Sequence, residues 1–340
     1  MPQTLSDRAA ITSPLALMTS REARALGIRV PAPEYHRVRS GIYVDAAAWA
    51  RLPAWRRYHV RVHALLRAAP DVTLCLESAA VVHGIPLFGH PRDLHVYDSR
   101  RTSSRRFGDV CVHTGAQSRE VVDVGGIRVT SLLDTAVDLT RVLPPAHGLA
   151  AADAVVAPAQ GGRLSISALR ERARERPSAR GAAIQREVWA LVDERIESPH
   201  EAVSHALILW AGFEMPEPQV EYRYEGSLDR CDFTFRAARA VGEADGWGKY
   251  DLADPAAASR ALANEKRRED RLRRHGHRVA RWEPRDPYRV TPVARALQQA
   301  GVRVERPEQR ALIATLRAES RRNLPAPTPA IGAGEKPHHV

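Results

Sequence analysis

Cysteine is scarce in this sequence: there are three among 340 residues, Cys75, Cys111 and Cys231. Their number is odd, and no two of them form a CxxC pair. A sparse, odd set argues against a disulfide framework and against a zinc site built from cysteines. We therefore expect a protein of a reducing cytoplasm.

Long apolar runs are also missing. No run approaches the roughly 18 residues that a membrane span requires. The first 20 residues carry acid, arginine and proline before any apolar run, unlike a signal peptide. The motifs GxGxxG, GxxxxGKS/T and GxSxG are absent as well. We therefore expect no membrane partner, no nucleotide cofactor and no serine hydrolase.

Basic charge is abundant. Lysine and arginine number 51 against 40 aspartate and glutamate residues, giving a net charge of +11 and a sequence pI near 10.2. An excess of this size is typical of proteins that bind polyanions, nucleic acid first. A genomic preference for arginine would produce the same excess. The length and a hydrophobic content of 44% are sufficient for two or three folded domains.

Periodicity and turn residues predict a mixed α/β (α+β) chain. In the first half we predict helices over 19–26, 55–69, 77–83, 131–139 and 145–157, and strands over 36–44, 94–97, 110–113 and 127–130. In the second half we predict helices over 165–175, 182–194, 198–211, 257–275, 290–300 and 307–321, and strands over 218–225, 229–236, 239–245 and 277–283.

The most informative pattern is an ordered set of short motifs between about 195 and 285. Its members are Ser198-Pro-His-Glu201, Asp232-Phe233, Glu243-Ala-Asp-Gly246, the basic segment 265–272, and Gly276-His-Arg-Val-Ala-Arg281. This order resembles the PD-(D/E)XK nuclease group, in the branch related to Vsr-type mismatch endonucleases. The resemblance implies a restriction-endonuclease-like α-β-β-β-α-β core. It also implies metal-dependent hydrolysis of DNA phosphodiester bonds, with phage defence or DNA repair as the expected setting.

Residues 15–155 are similar, more faintly, to the AbiEi-type antitoxin region that is often fused upstream of such domains. The similarity lies in Glu77-Ser-Ala-Ala80, His83-Gly84 and the helix that follows a β-rich stretch. The predicted organisation is a partial winged-helix-like region (1–60), an AbiEi-like α+β region (61–160), a helical connector (161–194), an endonuclease-like domain (195–300), a C-terminal helix (301–322) and a disordered tail (323–340). A recognition helix is hard to place in the first region, because proline and arginine interrupt 28–35.

The acidic residues of these motifs suit a divalent metal. Asp232 and Glu243 are expected on neighbouring strands, which lie about 4.8 Å apart, and Glu201 would reach in from the preceding helix. Mg²⁺ (or Mn²⁺) takes oxygen ligands of this kind, so we predict Asp232, Glu243 and Glu201 as metal ligands. Asp245 shares a strand face with Glu243 and would be a further ligand or orient Lys249. Solvent-facing acids at strand ends are the alternative.

One position departs from the nuclease pattern. The catalytic lysine is expected two residues after Glu243, where this chain has Asp245. Lys249 is close enough in sequence to substitute for it, holding the attacking water or the scissile phosphate. The departure keeps open a second interpretation. In it, the chain is an AbiEi-like antitoxin or transcriptional regulator whose nuclease-like domain binds nucleic acid without cleaving it.

The basic helix over 257–275 is the predicted contact with DNA, and RNA stays open as an alternative partner. Arg267, Arg268, Arg271 and Arg274 would contact phosphates. Trp247 would stack on a base or, equally, cap the core. The opposing interpretation of the helix is a solvated surface laced with ion pairs four residues apart, such as Glu269–Arg273.

Several histidines are expected to be structural. His200 and His205 flank Glu201 as in a zinc-protease motif. However, they are five residues apart, which sets them about 140° apart around a helix and disfavours joint zinc ligation. His83, His95 and His113 are scattered through the β-rich region, and we expect them to serve the fold.

Overall fold

A computed structural model describes residues 3–115, 117–244 and 255–317. Within these ranges the chain is a mixed α+β protein with fourteen α-helices and three β-sheets. None of the helices in the described ranges is long and apolar enough to cross a membrane. The tail predicted over 323–340 lies outside the described residues.

The N-terminal segment is built around a small antiparallel sheet of strand order β1-β3-β2. Its elements are α1 (Leu5–Arg8), β1 (Met18–Thr19), α2 (Ser20–Ala25), β2 (Tyr35–Arg39), β3 (Ile42–Asp45) and α3 (Ala46–Arg51). The predicted helix over 19–26 is confirmed, and Thr19 caps it in a reciprocal capping box with Glu22. The single strand predicted over 36–44 is wrong. The chain turns there at Gly41, whose φ of +72° suits glycine, and forms a hairpin.

A six-stranded mixed sheet of order β6-β7-β5-β4-β9-β8 forms the centre of the next segment. Its elements are α4 (Ala54–Ala68), β4 (Thr73–Leu74), α5 (Leu76–His83), β5 (Leu94–Tyr97), β6 (Arg105–Phe107), β7 (Val110–His113), β8 (Val121–Val124), β9 (Ile127–Thr130) and α6 (Leu132–Val142). The strands predicted over 94–97, 110–113 and 127–130 are confirmed. β4, β6 and β8 were not predicted.

Three helices follow: α7 (Pro145–Val156), α8 (Ile166–Arg174) and α9 (Ala182–Leu191), with a short 3₁₀ helix at Pro158–Gln160 between the first two. α7 is apolar around most of its circumference, which is typical of a buried helix. Leu149 packs in one core cluster with Leu207 and Phe233, whereas Val155 packs in another with Val137. α7 therefore contributes side chains to the cores of both halves of the fold.

The C-terminal segment carries the element order α-β-β-β-α-β that the motifs predict. Its elements are α10 (Pro199–Trp210), β10 (Glu217–Tyr224), β11 (Ser227–Phe235), β12 (Ala240–Ala244), α11 (Pro255–Arg274), β13 (Arg278–Trp282), α12 (Asp286–Arg289), α13 (Thr291–Gln299) and α14 (Arg310–Arg317). The sheet order is β10-β11-β12-β13; the first three strands are antiparallel and β12 pairs with β13 in parallel. α10 and α11 contact opposite faces of this sheet.

A buried ion-pair network attaches α8 to α6. Asp134 of α6 is 1% exposed and accepts hydrogen bonds from Arg172, from Arg176 and from the backbone N–H of Glu120. The Arg176 side chain is also about 1% exposed. Two charges removed from water in this way stabilise the fold only while each keeps its partner.

We expect Asp134→Ala to lower the free energy of unfolding by about 3 kcal/mol, because it leaves a buried guanidinium without its main carboxylate. Urea unfolding followed by circular dichroism measures the change. The matched surface substitution is Glu308→Ala, which breaks the exposed pair with Arg310 and should cost less than about 1 kcal/mol. Equal losses in the two variants would contradict a structural role for the Asp134 network.

Candidate functional site

The site forms around an irregularity in the pairing of β10 with β11. The two strands pair antiparallel in a register that places Gln219 opposite Asp232. Gln219 has a φ of +56°, a region that residues other than glycine rarely occupy. Such a conformation persists only where the surrounding contacts enforce it, and such residues cluster at functional sites.

The alternation of side chains along β11 reverses at the same point. Cys231 packs with Leu272 of α11, whereas Phe233 stacks on His205 of α10, with ring centroids 6.2 Å apart. In a regular strand, residues two apart lie on the same face of the sheet. Asp232 therefore lies where β11 crosses from one face to the other, between the two helices.

β11 and β12 separate beside Asp232. Their described pairing runs from Phe235 to Phe233, which lies opposite Gly242. Beyond it, the Asp232 carboxylate accepts the backbone N–H of Ala244 at 2.9 Å. A Cβ atom on Gly242 of β12 would lie 2.7 Å from the ring of Trp282 on β13. Glycine is therefore required for β12 and β13 to pack closely here. At Ala244, the end of β12, the Asp232 side chain thus takes the place of a backbone partner on β11.

Glu201 approaches Asp232 from the first turn of α10. Ser198 caps this helix by accepting the backbone N–H of Glu201 at 3.2 Å. Glu201 Oε2 accepts the backbone N–H of Glu197 and the Nε2–H of Gln219, each at 2.9 Å. Burial, together with the nearby charge of Asp232, raises the pKa of Glu201 to about 8, against the lowering effect of these hydrogen bonds. The charges of Glu201 and Asp232 thus interact, and Gln219, which binds Glu201, belongs to the strand that pairs with the strand of Asp232.

Glu243, the third predicted ligand, lies on the α11 side of the sheet. It is 2% exposed, and its Oε1 accepts a hydrogen bond from Arg268 Nη2 at 2.6 Å. The same nitrogen donates to the backbone carbonyl of Arg230 and lies 3.8 Å from Cys231 Sγ. Burial opposes the charge on Arg268, but Glu243 outweighs it and raises the pKa of that guanidinium above its ordinary value.

The predicted phosphate-binding face of α11 is turned largely towards the sheet. Arg271 binds Asp229 through Nε and Nη2 at 2.7 and 2.6 Å, and Arg274 binds Glu225 in the same bidentate way. Arg267 donates to atoms of its own helix. The expected Glu269–Arg273 pair is present at 2.7 Å. Arg268, Arg271 and Arg274 therefore attach the helix to the strands in the free protein.

Sequence reasoning missed two contributors to the site, Gln219 and Glu197. Gln219 orients Glu201, as described above. Glu197 lies near Asp232 and pairs with Arg230 at 2.7 Å; burial raises the pKa of Glu197, Arg230 lowers it and Asp232 raises it. Proximity to the Ser-Pro-x-Glu motif was the one available signal for Glu197. The sequence carries no signal for the backbone conformation of Gln219.

Asp245, Trp247 and Lys249 were also predicted to act here, and all three lie in 245–254, outside the described residues. Among the residues that are described, no three histidine, cysteine, aspartate or glutamate side chains are grouped so as to hold one metal ion. Within the described residues, Glu201 interacts electrostatically with Asp232, and Glu243 accepts a hydrogen bond from Arg268.

The other histidines have structural contacts. His83 Nε2 lies 2.8 Å from the backbone oxygen of Thr130. His95 Nδ1 and His113 Nε2 lie 2.8 Å apart, and His95 Nε2 is 3.4 Å from the buried carboxylate of Glu77. These contacts tie strands β5, β7 and β9 to α5, as expected of histidines that serve the fold.

Comparison with protein-family models and with curated proteins found no match for this chain. Function therefore has to be argued from the site itself.

A further buried acid, Asp153, lies near Glu201, on α7. Asp153 is fully buried and accepts the backbone N–H of Asp193 at 3.1 Å through Oδ1, while Oδ2 has no hydrogen-bond partner among the described residues. Burial raises the pKa of Asp153 well above its usual value, and the charges of Asp193 and Glu201 add to this effect.

As pH rises, we expect the stability of Asp153→Asn to fall less than that of wild type. Above about pH 4, an unfolded aspartate releases its proton, whereas the folded protein retains it. The unfolded state is therefore favoured increasingly until the folded pKa is reached. Thermal unfolding from pH 5 to 8 should show a smaller fall in Tm for Asp153→Asn than for wild type. Asp71→Asn, an exposed acid, is the control, and parallel curves for Asp153→Asn and wild type would contradict the expectation.

Proposed function

We propose that this protein is a Mg²⁺-dependent (or Mn²⁺-dependent) endonuclease that hydrolyses DNA phosphodiester bonds where β11 and β12 separate. The observation that carries the proposal is the placement of buried Glu201, bound to Gln219, against the strand pair that carries Asp232, whose charge raises the pKa of Glu201. Two acids whose charges interact, one of them buried, disfavour each other's charge, and a divalent cation relieves that cost. The order of elements and strands around the pair agrees with the PD-(D/E)XK core implied by the sequence motifs.

The donor set suits a hard cation. Mg²⁺ is usually bound by one or two carboxylates, with waters and substrate phosphates completing its shell. Asp232 and Glu201 would supply those carboxylates, and Glu243 a further one when Arg268 is displaced from it. When bound, the ion would activate water and offset the charge that develops on the phosphate oxygens.

The surrounding residues position these acids. The N–H of Ala244 orients Asp232, and Gln219 holds Glu201 through Oε2. With a pKa near 8, Glu201 holds a proton at pH 7 in the free protein and releases it when a cation binds beside it. Lys249 retains the role that the motif resemblance implies, which is to hold the attacking water or the scissile phosphate.

A second candidate function is nucleic-acid binding without cleavage, as in an AbiEi-like regulator or antitoxin. The ion pair between Arg268 and Glu243 favours it, because an arginine already neutralises a carboxylate that the nuclease would use. Asp245, which stands where the nuclease pattern has its lysine, also favours binding without cleavage. The net charge of +11 suits either function.

We expect wild-type protein to cut supercoiled and linear DNA with Mg²⁺ or Mn²⁺ but not with EDTA. Asp232→Asn and Glu201→Gln should each lower the cleavage rate by at least about 100-fold, because a neutral amide is a poor ligand for a hard cation. Gel separation of nicked and linear products measures the rate. Glu221→Gln, an exposed acid on β10, is the matched control and should cut at the wild-type rate.

Two outcomes would contradict the nuclease. Cleavage that survives in Asp232→Asn would place the activity elsewhere or in a contaminant. DNA that is retarded in a gel but never cut, with binding that weakens steeply as salt rises, would support the binding function instead.

A further inference from the structure

We propose that Arg268 is a gate on this site. Its guanidinium holds Glu243 in the free protein and passes to a DNA phosphate when a divalent cation takes its place on the carboxylate. The inference rests on the proposed function and adds the regulation of the same site. Arg268 would then make both the contact with Glu243 that the structure shows and the phosphate contact that the sequence predicts.

Arg268 binds its partners differently from the other arginines of α11. All its hydrogen bonds within the described residues come from one nitrogen, Nη2. Arg271 and Arg274, one and two turns further along α11, instead grip their carboxylates through both Nε and Nη2. A bidentate pair is the stronger and more specific arrangement. Arg268 thus makes no hydrogen bond to the described residues through Nε or Nη1, and these two nitrogens suit a phosphate.

Arg268 is the exposed partner of its ion pair with Glu243. The Arg268 side chain is 23% exposed, whereas Glu243 beneath it is about 3% exposed. An arginine stem is long enough to keep its head at the surface while its methylene groups stay packed. The guanidinium is therefore the more exposed partner of the pair, and a cation would reach the carboxylate from the side that the guanidinium leaves.

The position of α11 does not depend on Arg268. Arg271 and Arg274 attach the helix to β11 and to Glu225, which immediately follows β10. Leu272 is 2% exposed and packs with Cys231 and Val241. The exchange is therefore confined to one side chain, and a substitution at Arg268 is expected to leave the helix docked.

The charges make the exchange reciprocal. Glu243 is buried and requires a positive partner, which either the guanidinium or a divalent cation supplies. The two cations repel each other if both occupy the carboxylate. A cation that binds Glu243 therefore releases Arg268 towards DNA, and a phosphate that captures Arg268 strengthens cation binding by the same factor. The gate predicts that metal and DNA bind cooperatively.

The first test measures Mn²⁺ affinity by isothermal titration calorimetry on the full chain without DNA. We expect Arg268→Gln to bind Mn²⁺ about tenfold more tightly than wild type, because the competing charge is gone. Arg273→Gln is the matched control, since Arg273 lies on the same helix and pairs with Glu269 at 2.7 Å; its affinity should equal that of wild type. Circular dichroism confirms that each variant is folded, and Arg268→Lys, which keeps the charge, should stay within about threefold of wild type.

The outcomes separate the gate from the proposed function. Mn²⁺ binding that is lost in Asp232→Asn but equal in wild type and Arg268→Gln would overturn the gate and leave the metal site standing. No Mn²⁺ binding by wild type or by Arg268→Gln would overturn both.

The second test adds a short DNA duplex in Mn²⁺ with cleavage blocked by a phosphorothioate backbone. In wild type, DNA should tighten Mn²⁺ binding by about fivefold or more. In Arg268→Gln this coupling should largely disappear, because the exchanged partner is missing. Equal coupling in the two proteins would overturn the gate.

Discussion

Burying several carboxyl groups close together is the constraint on which the C-terminal half depends. Glu201 and Glu243 are nearly inaccessible to water, and Asp232 lies between the helices that carry or contact them. Removing such groups from water is costly unless each has hydrogen-bond donors or a positive partner. The fold supplies a different solution to each: amide and backbone donors for Glu201, a backbone N–H for Asp232, and a guanidinium for Glu243.

These solutions explain several local features that would otherwise look unrelated. The left-handed backbone at Gln219 accompanies an amide that reaches Glu201, and the lost pairing of β11 beyond Phe233 frees the N–H of Ala244 for Asp232. The close packing of Gly242 on Trp282 keeps β12 and β13 together while β11 moves away. The first two of these features weaken the sheet locally, which is typical of sites where function competes with regular structure.

Much of the secondary structure could be predicted from the sequence. β5, β7 and β9 are apolar runs bounded by turn residues, and the caps at Thr19 and Ser131 mark their helices in the sequence. β4 was missed because a strand of two residues, Thr73–Leu74, is too short to show a period. The hairpin at Gly41 was missed because both of its arms continue one alternating pattern.

The candidate site was predictable in its acids but not in their partners. Short motifs identify Glu201, Asp232 and Glu243, since they lie on elements with clear patterns. The partners come from other elements of the chain: Gln219 is 18 residues from Glu201, and Arg268 is 25 residues from Glu243. No local periodicity records such pairs. The arginines of α11 were therefore predicted as a phosphate surface, whereas three of them bind carboxylates of the sheet segment.

The two candidate functions differ in what neutralises Glu243. An arginine retained only for structure would be expected to grip its carboxylate as Arg271 and Arg274 do, through two nitrogens. Arg268 instead uses one nitrogen, Nη2, for all its hydrogen bonds within the described residues. A binding protein with a vestigial site has no need for this difference, because a permanent pair is most stable when it is bidentate. The single-nitrogen contact of Arg268 with Glu243 is therefore an argument for a site that still exchanges its partner.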